Sequence, residues 1–568
     1  MPTTDASNLG LWTQLRSFNK TFWIANTMEM LERLAYYGLR TVLPVYMVLS
    51  LAQGGPEFNH IQKGMIYGWW AMVQSGLPVF TGGYADRYGY KLTVGVSIAI
   101  KIAGYLLMAY AVDLAGALTG GASLEEPGHH TTFVVFTVGA LLLAAGTAVF
   151  KPGLQGIIGT QLKAENGSVG WAVFYQLVNV GGFLGPFLAG VMRLMAWKWV
   201  FISCAVIVSL NYIFLLTFPE PEKPETDEVG GVLGALKVLW DSAIGICEPR
   251  LMGFLVIFSG FWAMFNQLFD LLPNYIDDWI DSSMVADAVA RPILGELPAE
   301  WGGMLPQEFM INLNAGMCML LAFVIGFFTG KVRSMTAMIA GIVVAAAAIY
   351  GLGMSLNGWF ILGAIALFSL GELMASPTKM RYFSNIAPPG KKGLYLGYIN
   401  ATVGIGWALG SFIAGSMYEE GGDKVVLARR HLVEAVGLDP TTVAEMPKDA
   451  VLPSLQESLG MTADQVRELL YATYEPGFVW THFALIGVVS MVGLILYDRI
   501  TAAKASWEAP VLAVLAALIS GWTYSGGSVS RGVITGGIFG GLMVLYIVLE
   551  KVAPHVLPQG QTEEEEAA

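Results

Sequence analysis

The side chains best able to do chemistry are the charged and phenolic residues inside the first hydrophobic run of the chain. A charge at the middle of a bilayer costs about 2.5–3.5 kcal/mol on insertion scales, so it needs a compensating role. Spacings of three, four, seven, eight and eleven residues place these side chains on one stripe of a helix. The stripe consists of Glu29, Glu32, Arg33, Tyr36, Tyr37 and Arg40. We expect it to line a water-filled or solute-filled centre and not to face lipid.

Glu29 and Arg33 lie four residues apart and can therefore pair along the helix. Burial favours a protonated carboxyl group, whereas a nearby guanidinium favours the carboxylate. These opposed influences suit a group that changes protonation when its partner moves. The alternative is a purely structural ion pair that holds the helix among its neighbours.

The composition predicts that the elements carrying these residues cross a membrane. Hydrophobic residues make up 55% of the 568 residues and charged residues only 13%, against roughly a quarter charged in soluble domains. The apolar residues cluster in runs that reach the length of about 20 residues needed to cross a bilayer as a helix. The 68 glycines fit close helix packing in lipid.

Fourteen such runs predict about fourteen membrane-spanning helices. They cover residues 22–50, 62–84, 92–113, 132–153, 171–192, 197–217, 251–277, 309–330, 335–354, 358–385, 393–418, 476–498, 509–525 and 532–551. Lys and Arg concentrate in alternate short loops, as expected on the cytoplasmic side of a membrane. We therefore expect a multi-pass inner-membrane protein with both termini in the cytoplasm.

The polar segments divide these runs into groups. Residues 1–21 are a cytoplasmic N-terminus, 22–217 an N-terminal six-helix bundle, 218–250 a Pro- and acid-rich linker, 251–498 a C-terminal six-helix bundle, 509–551 an added helix pair, and 552–568 an acidic tail. The C-terminal bundle includes two exterior segments, 278–308 and 419–475. In the second of these, Thr462 and Gln465 form a capping-box pattern that predicts the start of a short helix. We interpret residues 419–475 as a small exterior cap, called the cap segment below.

Several short motifs follow the first-helix stripe in a fixed order along the chain. They are Gly82-Gly83-Tyr84-Ala85-Asp86-Arg87 in the first cytoplasmic loop, Lys151-Pro152, Phe174-Tyr175 through Gly181-Gly182, Phe261-Trp262-Ala263, Asn312-Leu313-Asn314, and Gly371-Glu372-Leu373 with Ser376-Pro377. Over about residues 20–500 this set resembles the proton-coupled oligopeptide transporters of the major facilitator superfamily. The resemblance implies an all-α membrane protein with two six-helix bundles, here with two extra C-terminal helices.

The resemblance also implies roles for individual residues. A proton-coupling network is implied for Glu29, Glu32, Arg33 and Lys151, with Glu32 as the first carboxylate to test by substitution with Gln. Contacts with a peptide-like substrate are implied for Tyr36, Tyr37, Arg40, Asn179, Trp262, Asn266, Asn314 and Glu372, with Arg40 at the carboxylate and Glu372 at the amino group. A gate role is implied for Asp86 and Arg87, whose alternative is a charge that only sets orientation.

The chain departs from the family pattern at the seventh helix. Where the family usually has a Glu one turn after the Trp, this chain has Asn266, so Lys151 lacks its usual partner. Asp270, one turn further on, can substitute for that Glu because residues four apart share a helix face. The chain also places its added helix pair after the twelfth span, whereas bacterial members often carry one between the halves. We therefore expect a divergent member.

The expected function is proton-coupled symport of di- or tripeptides or of peptide-like solutes by alternating access. An uncoupled or differently coupled carrier of another small anion or zwitterion is one alternative, and a non-transporting sensor that uses the cap segment is another. An enzyme is not expected, because the sequence has no nucleophile–base or metal-ligand spacing. We expect no cofactor or metal, a proton as coupling ion, a small solute and the lipid bilayer as partners, no nucleic acid, and a monomer.

Overall fold

The computed structural model describes residues 11–163, 166–221, 244–386 and 392–503, with positions 511–512, 514, 537, 540–546 and 548. Within this part of the chain the regular elements are helices, and strand pairing is limited to one isolated bridge between Asp281 and Asn357. The all-α class expected from the sequence is confirmed. Most of the predicted linker 218–250 and of the spans 509–525 and 532–551 lies outside the described residues.

Eleven of the first twelve predicted spans each correspond to one long helix, and the seventh, 251–277, is divided into three helices of which α7 is the first. The helices are α1 (Lys20–Val48), α2 (His60–Tyr88), α3 (Tyr90–Ala109), α4 (His130–Thr160), α5 (Gly167–Met195), α6 (Trp197–Leu215), α7 (Pro249–Phe265), α8 (Gln307–Gly330), α9 (Ser334–Leu352), α10 (Gly358–Ile386), α11 (Lys392–Gly421) and α12 (Phe478–Ala503). Shorter helices include Leu11–Ser17 before α1 and Ala111–Leu118 after α3.

Nine helices in the described part of the chain are long and apolar enough to cross a bilayer, judged by length and composition. Helices α1, α2 and α11 are not among these nine, and α1 carries the charges of Glu32, Arg33 and Arg40 within its apolar stretch. The helix that carries the stripe is therefore one of three that composition alone does not identify as spans. The position of α1 in unit 1 depends on the side chains that pack against the stripe.

Helix α7 is interrupted shortly after the Phe261-Trp262-Ala263 motif. The first piece ends at Phe265, a short helix covers Gln267–Asp270, and a third piece covers Leu272–Trp279. Pro273 lies in the first turn of the third piece, where its missing N–H group is tolerated. All residues from Leu251 to Phe265 are buried, so the first piece of α7 runs through the interior of its bundle.

The helices form two compact units. Unit 1 contains residues Met1–Tyr46 and Val73–Gly230, and unit 2 contains Met47–Met72 and Gly231–Ala568. Helix α2 contributes to both units, because its residues 60–72 pack with unit 2 and the rest with unit 1. The end of α1 after Tyr46 also belongs to unit 2.

In unit 1, α1 and α5 pack with their backbones close together. A Cβ atom at Gly185 would lie 2.5 Å from the backbone oxygen of Leu34, and one at Gly38 would lie 2.9 Å from the oxygen of Gly185. Only glycine allows this approach, which is a common way for membrane helices to gain packing contacts. This close contact with α5 sets the rotation of α1 about its own axis, and with it the direction in which the stripe faces.

In unit 2, the cap segment forms four short helices around a small apolar interior. The helices are Lys424–Glu434, Pro440–Glu445, Lys448–Leu459 and Ala463–Tyr474. Buried side chains between them include Leu427, Leu432, Val451, Leu455, Val466 and Leu470. The last helix begins after Thr462, and both hydrogen bonds of the predicted capping box with Gln465 are present. That prediction is confirmed.

Candidate functional site

The stripe on α1 is removed from the surface of unit 1. Glu29 and Glu32 are each 1% exposed, Arg40 is 3% exposed and Arg33 is 5% exposed. Charged groups buried to this extent are expected to be paired, since an isolated buried charge is very unfavourable. The partners of Glu29, Glu32 and Arg33 therefore decide what the stripe can do.

Arg33 lies between the two carboxylates. Its Nε atom donates a hydrogen bond of 2.8 Å to Glu29 Oε1 and also lies 2.9 Å from Glu32 Oε2. The pairing of Glu29 with Arg33 along the helix is the one that their spacing predicted. The second oxygen of Glu29, Oε2, has no hydrogen-bond partner among the described residues, although it is buried.

The second cation of the cluster is Lys101 on α3. Its Nζ atom donates a hydrogen bond of 2.8 Å to Glu32 Oε1, and its side chain is 0% exposed. Lys101 was not predicted from the sequence, although a lysine inside the third predicted span carries the same signal that identified the stripe in the first. We call Glu29, Glu32, Arg33 and Lys101 the first-helix cluster.

Lys151 has a different environment from the one that the family resemblance implied. Its side chain is exposed, and among the described residues it forms no ion pair within 4.0 Å. It is close enough to Glu29 and Glu32 to interact with them electrostatically. The structure thus places Lys101, and not Lys151, in direct contact with the carboxylates.

The tyrosines of the stripe lie next to the cluster. The guanidinium carbon of Arg33 lies 5.6 Å from the ring centre of Tyr36, whose hydroxyl accepts a 3.2 Å hydrogen bond from Gln74 Nε2. Tyr37 packs edge-on against Tyr36 and is half-buried, as is Asn179 on α5. These predicted substrate contacts therefore share unit 1 with the cluster.

In unit 2, Asn314 on α8 and Glu372 on α10 are brought together. Asn314 Nδ2 donates to Glu372 Oε2 over 2.8 Å and to Ser369 Oγ over 3.0 Å. The thiol of Cys318 lies 3.7 Å from the same Glu372 oxygen. Two residues to which the sequence assigned substrate contacts thus form one polar group.

Trp262 lies on α7 in the same unit, and Asn266 directly follows the last residue of that helix. The Nδ2 atom of Asn266 donates to the backbone oxygen of Trp262 over 2.8 Å, so this side chain satisfies a carbonyl where the helix is interrupted. Lys379 on α10 was not identified from the sequence, and its ammonium lies 3.9 Å from the ring centre of Trp262. A cation over an aromatic face is a favourable contact in a buried site.

Comparisons with known proteins agree with this arrangement of helices. Residues 27–286 match the family model of the Major Facilitator Superfamily. The chain carries a domain of this superfamily. It is a multi-pass membrane transporter and not an enzyme.

Relatives of the superfamily domain are distant in sequence. The multidrug resistance protein MdtH of Klebsiella pneumoniae is 21% identical over 416 residues, which cover 72% of this chain and 89% of that protein. The MdtH protein of Yersinia pestis strain Pestoides F is 21% identical over 418 residues, covering 73% and 90%.

Solved structures share the fold of the superfamily. A mutant of the peptide transporter POT in complex with alafosfalin has a TM-score of 0.57 at 16% identity and covers 87% of this chain and 99% of that one. A POT family transporter in complex with 5-aminolevulinic acid has a TM-score of 0.58 at 13% identity, covering 85% and 98%. A mutant of the nucleoside transporter NupG has a TM-score of 0.56 at 14% identity, covering 84% and 100%.

One expected feature of the superfamily domain needs correction. The segment Gly82 to Arg87 was expected in a cytoplasmic loop, but it is the last part of α2, which continues to Tyr88. Gly89 alone separates α2 from α3, with a positive φ of 106° that favours glycine. The side chains of Asp86 and Arg87 lie outside the described residues, so their gate role stays a prediction.

Asp270 in the superfamily domain is held by two donors on α11. Trp407 Nε1 donates to Asp270 Oδ2 over 2.8 Å, and Ser411 Oγ donates to the same oxygen over 2.7 Å. Neither donor was predicted from the sequence, because they lie 137 and 141 residues away along the chain. The expected pairing of Asp270 with Lys151 stays a prediction.

A second buried polar group links the first turn of α2 to the cap segment within unit 2. His60 Nε2 and Asp423 Oδ2 are 3.0 Å apart, and Lys63 Nζ donates to Asn274 Oδ1 over 2.6 Å. Asp423 also caps the first cap helix by accepting from the backbone N–H groups of Val425 and Val426. We call His60, Lys63, Asn274 and Asp423 the cap-side cluster.

Proposed function

We propose that the protein is a proton-coupled symporter of di- or tripeptides or of peptide-like solutes. The observation that carries this proposal is the first-helix cluster, in which two buried carboxylates share two buried cations and one oxygen of each carboxylate lacks a hydrogen-bond partner among the described residues. A buried carboxylate in a transport protein is by default a candidate for proton transfer. No cofactor would be needed, since the proton is the coupling ion.

The proposed substrate contacts follow from charge and hydrogen-bonding capacity. The Arg40 guanidinium would bind the substrate carboxylate through two parallel hydrogen bonds, with Tyr36, Tyr37 and Asn179 beside it. Glu372, oriented by Asn314, would bind the amino group, with Trp262 and Asn266 nearby. Asp86 and Arg87 would act as a gate, and Asp270 would share in proton coupling.

The structural neighbours support a solute of this class. Among them are POT family transporters solved with alafosfalin, with 5-aminolevulinic acid and with a thioalcohol conjugated peptide. By analogy with the bacterial relatives, we place this chain in the cytoplasmic membrane of a bacterium with both termini in the cytoplasm. This sidedness rests on the distribution of Lys and Arg in the short loops.

Proton-driven efflux is a second candidate function. It is supported by the relatives, whose name is multidrug resistance protein. The same cluster could serve either direction, because a carboxylate that binds a proton on one side and releases it on the other can drive symport or antiport. The direction of solute movement under a proton gradient separates the two.

The test uses the purified full chain in proteoliposomes with a radiolabelled alanyl dipeptide and an inside-alkaline pH gradient. Symport predicts accumulation above the external concentration, which a proton ionophore abolishes. Extrusion of a preloaded lipophilic drug by an inside-acid gradient, with no peptide accumulation, would favour efflux. Equilibration without accumulation would favour an uncoupled carrier, and the absence of any transport would favour a sensor.

The proposed orientation of the peptide has its own test. Arg40→Ala should weaken binding of a free peptide about tenfold or more but change little for an amidated peptide, which already lacks the carboxylate. Glu372→Ala should show the same pattern for an N-acetylated peptide. Equal losses for all three ligands in both variants would refute the assignment of the two ends.

A further inference from the structure

Lys101 is a buried cation that the family resemblance did not supply, and it contacts Glu32, one of the two carboxylates to which the resemblance assigns proton coupling. Its ammonium lies 2.8 Å from Glu32 Oε1, and Arg33 Nε lies 2.9 Å from the other oxygen of the same residue. Glu32 thus has a cation at each oxygen. Protonation of Glu32 would leave Lys101 as a charge without a counter-ion in a buried place.

The pocket around Lys101 has room for the lysine side chain and offers its ammonium two favourable contacts. A Cβ atom at Gly146 on α4 would lie 2.5 Å from Lys101 Cγ, so this glycine makes room for the side chain. The ammonium also lies 3.7 Å from the ring centre of Phe150, one turn further along α4. An ion pair and an aromatic face together favour the charged form of the amine.

Glu29 and Glu32 each have an Oε2 atom without a hydrogen-bond partner among the described residues, but they differ in their ion pairs. Glu32 pairs with both Arg33 and Lys101, whereas Glu29 pairs with Arg33 alone. One oxygen of Glu29 accepts from Arg33, and the other, Oε2, is buried with no hydrogen-bond partner among the described residues. An unpaired buried oxygen is unfavourable for a carboxylate, whereas adding a proton there converts it into a neutral hydroxyl. Lys151 on α4 is the remaining cation that acts on Glu29, and it makes no close ion pair.

We propose that Lys101 is a positioning residue that keeps Glu32 ionised, so that Glu29 is the carboxylate that takes up and releases the transported proton. This proposal rests on the proposed proton coupling. In the deprotonated state the first-helix cluster has two negative and two positive charges. When a proton from one side of the membrane adds to Glu29, Arg33 keeps Glu32 as its partner and the cluster gains one positive charge. The proton leaves from Glu29 to the other side.

The first measurement does not depend on transport. Infrared difference spectra between acid and alkaline pH, recorded on the purified full chain, report the C=O band of a protonated carboxyl group. We expect Glu29→Gln to lose one component of this band, while the component of other titrating carboxyl groups such as Asp278 remains. The double variant Glu32→Gln/Lys101→Gln, whose neutral pair leaves no buried charge, should keep the Glu29 component. A component lost in the double variant and kept in Glu29→Gln would overturn the proposal.

The second measurement uses proteoliposomes loaded as above with the alanyl dipeptide. Glu29→Gln should lower the accumulation ratio to about 1 while counterflow exchange continues, and the double variant Glu32→Gln/Lys101→Gln should still accumulate. The single variant Lys101→Gln should move the pH midpoint of counterflow upward, because Glu32 then lacks its second cation. Loss of a merely structural lysine would not produce this shift. Lys198→Gln on α6, an exposed lysine, is the matched control and should behave as wild type.

These outcomes separate the present proposal from the proposed function. If the wild type fails to accumulate peptide, symport is refuted, while the infrared band still decides between Glu29 and Glu32. If the wild type accumulates peptide and the folded double variant exchanges it but cannot accumulate it, Glu32 is the carrier and the role assigned to Lys101 is wrong. Size-exclusion profiles and thermal unfolding establish that each variant is folded.

Discussion

The first-helix cluster and the cap-side cluster bury lysines in different ways. Lys101 is 0% exposed and donates to a carboxylate, whereas Lys63 is 2% exposed and donates to the neutral amide of Asn274. A buried ammonium with a carboxylate partner is part of an ion pair, whose disruption leaves an opposite charge behind. A buried ammonium with an amide partner leaves none in direct contact, although the charges of Asp270 and Asp278 act on Lys63 from further away. We therefore expect Lys101 to contribute more to the free energy of unfolding than Lys63.

The two clusters also differ in what surrounds their carboxylates. Asp423 accepts from two backbone N–H groups at the start of the first cap helix and contacts the His60 ring. Burial raises the pKa of Asp423, but the hydrogen bond and charge of His60 and the charge of Lys448 outweigh this and hold it below its ordinary value. Glu29, by contrast, keeps one oxygen without a partner among the described residues. Asp423 is therefore suited to holding the cap segment in place, whereas Glu29 is suited to exchanging a proton.

The largest effect on stability is expected from Lys101→Met, which removes the cation but leaves Glu32 buried. Breaking a buried ion pair from one side typically destabilises by about 3–5 kcal/mol. We therefore expect a marked fall in the unfolding temperature in detergent, and a partial recovery when Glu32→Gln is added. A single variant as stable as the wild type would show that the cluster is solvated and would remove the contrast with Lys63.

A smaller effect is expected from Asp423→Ala, which removes the cap of the first cap helix and the partner of His60. Loss of such a cap typically costs about 0.5–2 kcal/mol. Because the cap helices share their own small interior, we expect the change as faster hydrogen exchange in Lys424–Glu434 with α1 unaffected. Asp439→Ala is the matched control, since it caps the exposed helix Pro440–Glu445 far from His60 along the chain. Equal changes throughout unit 2 would mean that the cap segment does not unfold by itself.

Lys63→Met tests the other side of the comparison. The substitution removes one hydrogen bond to Asn274 but also relieves the burial of an ammonium that has no carboxylate within 4.0 Å among the described residues. The lost hydrogen bond lowers stability and the relieved burial raises it, so we expect a change of about 1 kcal/mol or less in unfolding free energy. A loss as large as that of Lys101→Met would show that a negative charge near Lys63 acts as its counter-ion.

Local and distant contacts differ in how well the sequence predicts them. The Glu29–Arg33 pair follows from a spacing of four residues, and the capping box at Thr462 follows from a spacing of three. Lys101 could have been found by the rule that identified the stripe, since it is a charge inside a predicted span. Its partner could not, because the rotation of α3 depends on how it packs against α4 at glycines such as Gly146.

The cap-side cluster lies beyond what a single sequence can indicate. His60 and Asp423 are 363 residues apart, and their contact depends on how the first turn of α2 packs in unit 2. The break in α7 was partly predictable from Pro273, but the role of Asn266 in satisfying the carbonyl of Trp262 was not. Sequence patterns thus indicated which helix carries the candidate site, while the partners of each charge required the fold.

The smallest effect on stability is expected from the titration of Asp278, which lies beside the cap-side cluster. The Tyr418 hydroxyl donates to Asp278 Oδ2 over 2.8 Å, and Lys424 Nζ donates to its backbone oxygen over 2.6 Å. Burial and the negative charges of Asp423 and Asp277 raise the pKa of Asp278 from 3.8 to about 7, against the opposing charge of Lys424. The folded protein therefore binds a proton here more tightly than the unfolded chain.

The sign of the pH dependence follows from this difference. The contribution of the protonated Asp278 to stability is full below pH 3.8 and is lost as the pH rises through about 7. We expect the unfolding temperature of the wild type to fall between pH 5 and 8, by less than about 1 kcal/mol in free energy because this side chain is partly exposed. Asp278→Asn cannot ionise and should lose this component, whereas Asp277→Asn, at an exposed neighbour, should keep it. If the unfolding temperature of Asp278→Asn falls as much as that of the wild type, the titrating group lies elsewhere. The cap-side cluster would then hold the cap segment in place without responding to pH.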